Sequence, residues 1–405
     1  MTTLEALYRD LHAHPELAFQ EHRTAGIAAE RMRTLGLEVI EGIAGTGVAA
    51  VLSNGPGRTV WLRADMDGLP VEELTGLDYA STATALGADG VETPVMHACG
   101  HDIHVTWLVG AMEKLAAARD GWSGTVVAIF QPAEETVSGA TAMVADGLVD
   151  RVPRPDIVLG QHVGPLPAGM ISLTSGTAMA GADELDVVLH GKGGHGSRPE
   201  TTIDPVLAAA STVVRLQSIV SRETTPGQLA VVTVGTLHAG TKANIIPADA
   251  RLGINIRSLD APTRERVIGA IERIVRAEAV ASGMTVEPEI TVTATTPATI
   301  NEAEATEILR AQFAETWGEA AVIDYGTVSG SEDVGVLATA AGAPLVFWIT
   351  GGADPDTFAA AAAAGRVEQD IPSNHSPYFA PVLDPTLQQG IDAMTIAART
   401  FLDER

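Results

Sequence analysis

Two rhythms of apolar residues run through the first 180 positions, and they alternate. Apolar positions that recur every three or four residues predict a helix over roughly Leu4–Ala13 and a second over about Glu21–Leu35. In the second, Ala25, Ala28, Met32 and Leu35 share a face, and Gly36 stands where a helix stop is expected. Continuous apolar runs in TGVAAVL and TVWLRA predict strands. Helical spacing returns at Val105, Leu108, Met112 and Leu115, followed by the strand VVAIF, a helix around Ala140–Asp146 and the strand DIVLG. Strands alternating with helices predict an α/β layer with a mixed, largely parallel central sheet flanked by helices.

Between about residues 180 and 296 the order changes to strand ELDVVLH, helix Pro205–Val220, strands LAVVTVGTL and ARLGINIR, helix Thr263–Ala281 and strand VEPEITVTA. This βαββαβ succession is that of a ferredoxin-like unit. Helical and α/β segments then resume to the C-terminus. A chain of 405 residues exceeds what one hydrophobic core comfortably serves. The expected organisation is therefore a discontinuous domain, 1–180 and 297–405, interrupted by a compact insert, 181–296.

Charge narrows the classes of partner. With 51 acidic against 25 basic residues the net charge is −26, which repels nucleic-acid phosphates and anionic lipid. The N-terminal MTTLEALYRDLHAHPE has no apolar core of a secretory signal. The longest apolar candidate, PLVFWIT, has the length of a strand and not of a membrane span. A single cysteine cannot form an internal disulfide, so a cytoplasmic location is expected.

That cysteine sits in MHACGHDIH, one residue from His101 and at the start of a predicted helix. Two chemistries are open for it: a nucleophile paired with a nearby base, or a metal ligand. Three other polar clusters also follow predicted strands, with Asp65 and Asp67 after TVWLRA, Glu134 and Glu135 after VVAIF, and His162 after DIVLG. The carboxyl ends of parallel strands form the ligand crevice of α/β sheets, so the four clusters predict one site. Thiolate, imidazole and carboxylate together suit zinc, cobalt or manganese. Adjacent glutamates leave a strand in different directions, so one can bind metal while the other faces a metal-activated water. A cysteine nucleophile would leave the glutamates, His162 and the aspartates without roles.

The motifs LHAHPELAFQEHRTA, LRADMDGLPVEE, MHACGHD, FQPAEE, GKGGHGSRP, ANIIP, NIR, SGSED and NHSPYF occur in an order that spans nearly the whole chain. In this the sequence resembles the dinuclear-metal amidohydrolase and peptidase family of aminoacylase, hippurate hydrolase and indole-acetyl-amino-acid hydrolase. It resembles the amidohydrolase branch in particular, since relatives outside that branch carry His-x-Asp at Asp65-Met66-Asp67. The resemblance implies two divalent ions per subunit (zinc, manganese or cobalt), with Cys99, His101, Glu135, His162 and His375 as ligands. It implies Glu134 as general base and Asp65 and Asp67 as residues orienting the ligands. His375 could not have been found by spacing.

For the insert, the resemblance implies a dimerisation and lid domain whose His195 reaches the partner's site, with Asn244 and Arg257 holding the substrate carboxylate. The glycines around His195 permit close backbone approach to a ligand. The expected partners are a small N-acyl amino acid and a second copy of the chain, with neither nucleic acid nor membrane. The implied reaction is amide hydrolysis to a carboxylic acid and a free amino acid; the alternatives are a dipeptidase or carboxypeptidase of the same family, or a metal-free binding protein on the inherited fold. The chain departs from the family where Ile103 and Trp107 stand beside the motif, and where the segment 352–374 is longer than common. That segment is expected either to shape the acyl pocket or to be a solvated insertion. His12, His14, His22, His97, His104, His190 and His238 receive no chemical role and are expected mostly to be structural or exposed.

Overall fold

The computed structural model describes residues 3–403 apart from Asp89. The chain divides into two compact units, one formed by Met1–Ala178, Ile300–Gly326 and Asp333–Arg405, the other by Met179–Thr299 with Thr327–Glu332.

The larger unit is built on an eight-stranded sheet. From edge to edge its strands are Glu38–Ile43, Gly47–Asn54, Gly124–Gln131, Thr59–Asp65, Ile157–Pro167, Leu345–Ala353, Ile171–Ser172 and Val322–Ile323. The four central strands, from Gly124–Gln131 to Leu345–Ala353, run parallel to one another. Antiparallel pairs flank them on both sides. Register places Asp65 beside Gln131 and Arg63 beside Gly160, so two residues further on Asp65 and His162 stand level. The DIVLG strand does not end before His162: it continues to Pro167, because pairing with Leu345–Ala353 extends that far.

Helix His101–Ala117 is buried around most of its circumference, which is why its apolar positions are nearly continuous. It packs beside helix Thr386–Asp403, where the Trp107 indole occupies the space that a side chain at Gly390 would need and donates to the Thr386 carbonyl at 3.1 Å.

The smaller unit has a four-stranded antiparallel sheet in the order Ala230–Ala239, Asp249–Ser258, Gly181–His190, Glu289–Thr296. This is the strand order of a ferredoxin-like unit. Leu185, Val187 and Leu189 alternate inward with Ala250, Leu252, Ile254 and Ile256, and they meet Leu216, Ile219, Val267, Ile271 and Val275 from the two helices. Each buried aliphatic side chain of this kind contributes about 1.5–3 kcal/mol. Both helices start with an aspartate cap before a proline-bearing first turn: Asp204 accepts from Val206 N–H and Leu207 N–H, and Asp260 accepts from Thr263 N–H. Thr327–Glu332, outside the boundaries read from the sequence, belongs here because Ala180 N–H donates to the carbonyls of Val328 and Gly330.

Candidate active site

Cys99 precedes the first turn of helix His101–Ala117, and Gly100 is what lets the chain enter that helix. Gly100 has φ +78, and a Cβ there would lie 2.4 Å from Val163 Cγ1. Cys99 Sγ is 3.4 Å from His162 Nε2, and His162 Nδ1 donates to the Val163 carbonyl at 2.7 Å. That bond fixes the tautomer and leaves Nε2 as the electron-pair donor facing the thiol. His101 is oriented in the same way, its Nδ1 lying 3.2 Å from Asp67 Oδ1. Its Nε2 then stands 3.7 Å from Glu135 Oε1 and 3.9 Å from Glu134 Oε2. Glu135 Oε2 lies 3.2 Å from His375 Nε2.

His375 comes from a distant loop. Its backbone is left-handed at φ 71, and its N–H donates to the Ala98 carbonyl at 2.8 Å. Asn374 beside it donates to the carbonyls of Cys99 at 3.4 Å and Val163 at 3.1 Å. The structure thus gathers Asp65, Asp67, Cys99, His101, Glu134, Glu135, His162 and His375 in the larger unit, and places His195, Asn244 and Arg257 in the smaller one.

These residues fit a metal centre. The ligand-type atoms of Cys99, His101 and Glu135 lie within 4.8 Å of one another. Among the described residues, His101 Nε2 and Glu135 Oε1 are buried with no hydrogen-bond partner, an arrangement that costs stability unless something else is bound there. Arg63 is committed to Asp65 and Asp333, and the carboxylates of Asp65, Asp67, Glu134 and Glu135 lie within 4 Å of the His101 ring nitrogens, so a further cation would offset the negative charge gathered there. Burial pulls the His101 pKa down, but Asp65 and Asp67 outweigh it and push it up to about 10. Burial, then Glu135 and Glu134, hold the Cys99 thiol well above its usual range. Only a cation at this position would keep it a thiolate at neutral pH.

Residues the sequence left without roles complete the surroundings. Buried His104 lies 2.5 Å from Asp65 Oδ1 through Nδ1 and accepts from Val163 N–H at 2.8 Å through Nε2. Both ring nitrogens are occupied, so His104 is a brace and not a ligand. Burial lowers its pKa, in keeping with the neutral ring that accepting a hydrogen bond requires. Arg63 donates to Asp65 at 2.6 Å and to Asp333 at 3.1 Å, while Asp333 also accepts from Gln131 at 2.6 Å. Burial opposes the charge on Asp65, but Arg63, His101 and His104 hold its pKa well below the carboxylate range. The signal for this network in the sequence was polar residues inside otherwise apolar strands and helices.

Behind the site, His12 Nδ1 is 2.6 Å from Asp102 and its Nε2 3.0 Å from Glu73. His97 is buried as well. Ile103 and Trp107 are fully buried in the core, and Trp107 stacks on His104 at 5.3 Å. The segment 352–374 forms helix Pro355–Ala364 and a short turn of helix, Val367–Asp370, with Ala361 and Ile371 among its few buried positions.

In the smaller unit His195 is exposed, on a short strand paired with Ile245–Ile246, and its Nδ1 lies 2.7 Å from Ser197 Oγ. The neighbouring glycines lie close to this chain's own backbone: Cβ atoms at Gly193 and Gly196 would lie 3.0 and 3.1 Å from the carbonyls of Ile246 and Asn244. Arg257 donates through Nε to Asn255 at 3.0 Å and through Nη1 to Ser331.

A thiol, imidazoles and paired glutamates around one cation-demanding point, at the carboxyl ends of parallel strands, define a metal-dependent hydrolase. The model of Peptidase family M20/M25/M40 matches residues 61–391. Hippurate hydrolase of Campylobacter jejuni is 38% identical over 334 residues, covering 82% of this chain and 84% of its own. Thermostable carboxypeptidase 2 of Saccharolobus solfataricus is 38% identical over 330 residues, 80% of each chain. A dinuclear metal binding peptidase of Bacillus subtilis superposes with a TM-score of 0.78 at 27% identity, over 99% of this chain and 98% of that one. The chain belongs to Peptidase family M20/M25/M40 and is a metal-dependent amide hydrolase. Among the described residues, no helix is long and apolar enough to cross a membrane.

Proposed function

We propose that this enzyme hydrolyses N-acyl amino acids of the hippurate or N-acetyl type to a carboxylic acid and a free amino acid. His101 Nε2 and Glu135 Oε1, facing each other and unbonded among the described residues, carry this reading, with Cys99, His162 and His375 around them. These five residues would hold two divalent ions, zinc, manganese or cobalt, while Asp65 and Asp67 orient the ligands. Ions held there supply Lewis acidity, acidifying a water and polarising the scissile carbonyl.

Glu134, next in sequence to a ligand and largely buried, takes the proton from the attacking water. It later delivers that proton to the leaving amine. His195 of the partner subunit donates to the tetrahedral oxyanion. Asn244 and Arg257 hold the substrate carboxylate, the guanidinium offering a planar donor pair. The smaller unit serves as the dimerisation domain. A single cysteine held as a metal thiolate suits the reducing cytoplasm.

A second reading, carboxypeptidase or dipeptidase action, is favoured by the Saccharolobus relative. A peptide is itself an N-acyl amino acid, so substrates separate the two. The test is a hydrolysis screen with zinc, manganese and cobalt across N-acetyl, N-benzoyl and indole-acetyl amino acids and dipeptides. Faster turnover of acyl amino acids supports the first reading; turnover of peptides alone overturns it.

A further inference from the structure

We propose that Glu21 is a positioning residue for the turn that carries Glu134 and Glu135. Its side chain is fully buried at the start of helix His22–Thr34, far in sequence from the site. Oε1 accepts from Ala133 N–H at 2.8 Å and from Phe19 N–H at 2.9 Å, while Oε2 accepts from Thr46 Oγ1 at 2.6 Å.

Both amides on Oε1 belong to non-glycine residues in the left-handed region, Phe19 at φ 60 and Ala133 at φ 50. Such conformations persist only where the surroundings over-determine them. A second buried carboxylate, Asp67, takes the next two amides: Glu134 N–H donates to Oδ1 at 3.1 Å and Glu135 N–H to Oδ2 at 3.0 Å. The N–H groups of 133, 134 and 135 therefore end on two carboxylates from separate parts of the chain. Asp67 also holds His101, so it belongs to the metal surroundings. Among the described residues Glu21 bonds to no proposed ligand, and its link to the chemistry is the turn itself.

Without this acceptor the Ala133 N–H is buried unpaired, and Ala133 is free to relax toward an ordinary negative φ. Because Glu134 and Glu135 follow directly, one backbone rotation displaces the proposed base and the proposed ligand together. A residue that merely stabilised the fold would not move both.

The inference rests on the roles proposed above for Glu134 and Glu135. The test compares Glu21→Ala, Glu21→Gln and Thr46→Val with wild type, each loaded with cobalt. Glutamine keeps an acceptor oxygen for both amides, and its NH2 can donate to Thr46 Oγ1. Glu21→Ala should lower kcat about 10–100-fold, the range for residues that support metal ligands, with a smaller change in KM. It should also shift the cobalt visible absorption and speed cobalt loss to a chelator, while Glu21→Gln restores both rate and spectrum.

Wild-type kcat and spectrum in Glu21→Ala overturn the proposal. So does a variant that loses only thermal stability, or a glutamine variant as impaired as alanine. If Glu21→Ala fails to fold, Thr46→Val decides: it frees Oε2 alone, should lower kcat less and still shift the spectrum, and an unchanged spectrum overturns the idea. If wild type hydrolyses no acyl amino acid, the substrate reading fails, while the cobalt spectra still decide the role of Glu21.

Discussion

Cys99 Sγ faces His162 Nε2 at 3.4 Å, and the other nitrogen of that ring is committed to the Val163 carbonyl. A thiol opposite an imidazole lone pair resembles a nucleophile with its base. Yet burial and the neighbouring glutamates hold this thiol protonated, the opposite of what an activated nucleophile needs. With a cation between them, the same two atoms become ligands.

Alkylation separates the two roles. The metal-loaded enzyme should react slowly with iodoacetamide and faster after chelation. In the chelated protein the rate should keep rising about tenfold per pH unit to at least pH 9, because the thiol titrates above its usual value. Cys99→Ala should bind less metal. Rapid alkylation of loaded enzyme, with activity lost in step, would favour the nucleophile.

The two glutamates should part company on substitution. Glu134→Gln is expected to keep its metal, measured by elemental analysis, and to lose about 10²–10⁴-fold in turnover, the usual contribution of a general acid–base group. Glu135→Gln should lose metal. The reverse pattern would exchange their roles.

His104 offers a test of the brace. His104→Phe abandons an oxygen of Asp65 and the Val163 N–H, both buried. Each orphaned group should cost about 1–3 kcal/mol in urea unfolding of the metal-free protein. Metal affinity should fall as well, because Asp65 and the strand carrying His162 lose their common support.

His12 makes stability depend on pH at the alkaline end. Burial opposes its charge, but Asp102 and Glu73 raise its pKa to about 10, against about 6.5 in the unfolded chain. A group raised on folding contributes fully below the unfolded value and loses that contribution as pH rises through the folded one. The stability gap between wild type and His12→Gln should therefore narrow from pH 6.5 to pH 10, by up to about 1.4 kcal/mol per unit. A gap constant over that range would show that His12 folds uncharged.

The shared-site proposal predicts complementation. His195→Ala and Glu134→Gln should each be nearly inactive, and co-expressed heterodimers carrying two different tags should regain activity. One site of the pair has an intact Glu134 and receives the partner's unaltered histidine, so the ceiling is about half of wild type for a two-fold dimer. Verified heterodimers as inactive as their parents would remove His195 from the partner's site.

Periodicity reports which face of a local element is buried, and it sufficed for most of the element order and for the βαββαβ succession, but it missed the edge strand Glu38–Ile43 and ended the strand carrying His162 too early. The spacing of Cys99 and His101 and the Glu134–Glu135 pair were legible for the same reason: their geometry is set within a few residues of backbone. His375 was legible only by resemblance, since it is placed by a hydrogen bond to Ala98 from a loop far along the chain. The brace of His104 on Asp65 and the grip of Glu21 on Ala133 join residues whose nearness depends on strand register and helix docking. Polar residues inside apolar runs marked that something was bonded there; which partner met them was decided only by the tertiary structure, where burial makes an unpaired donor or acceptor costly and so fixes each contact.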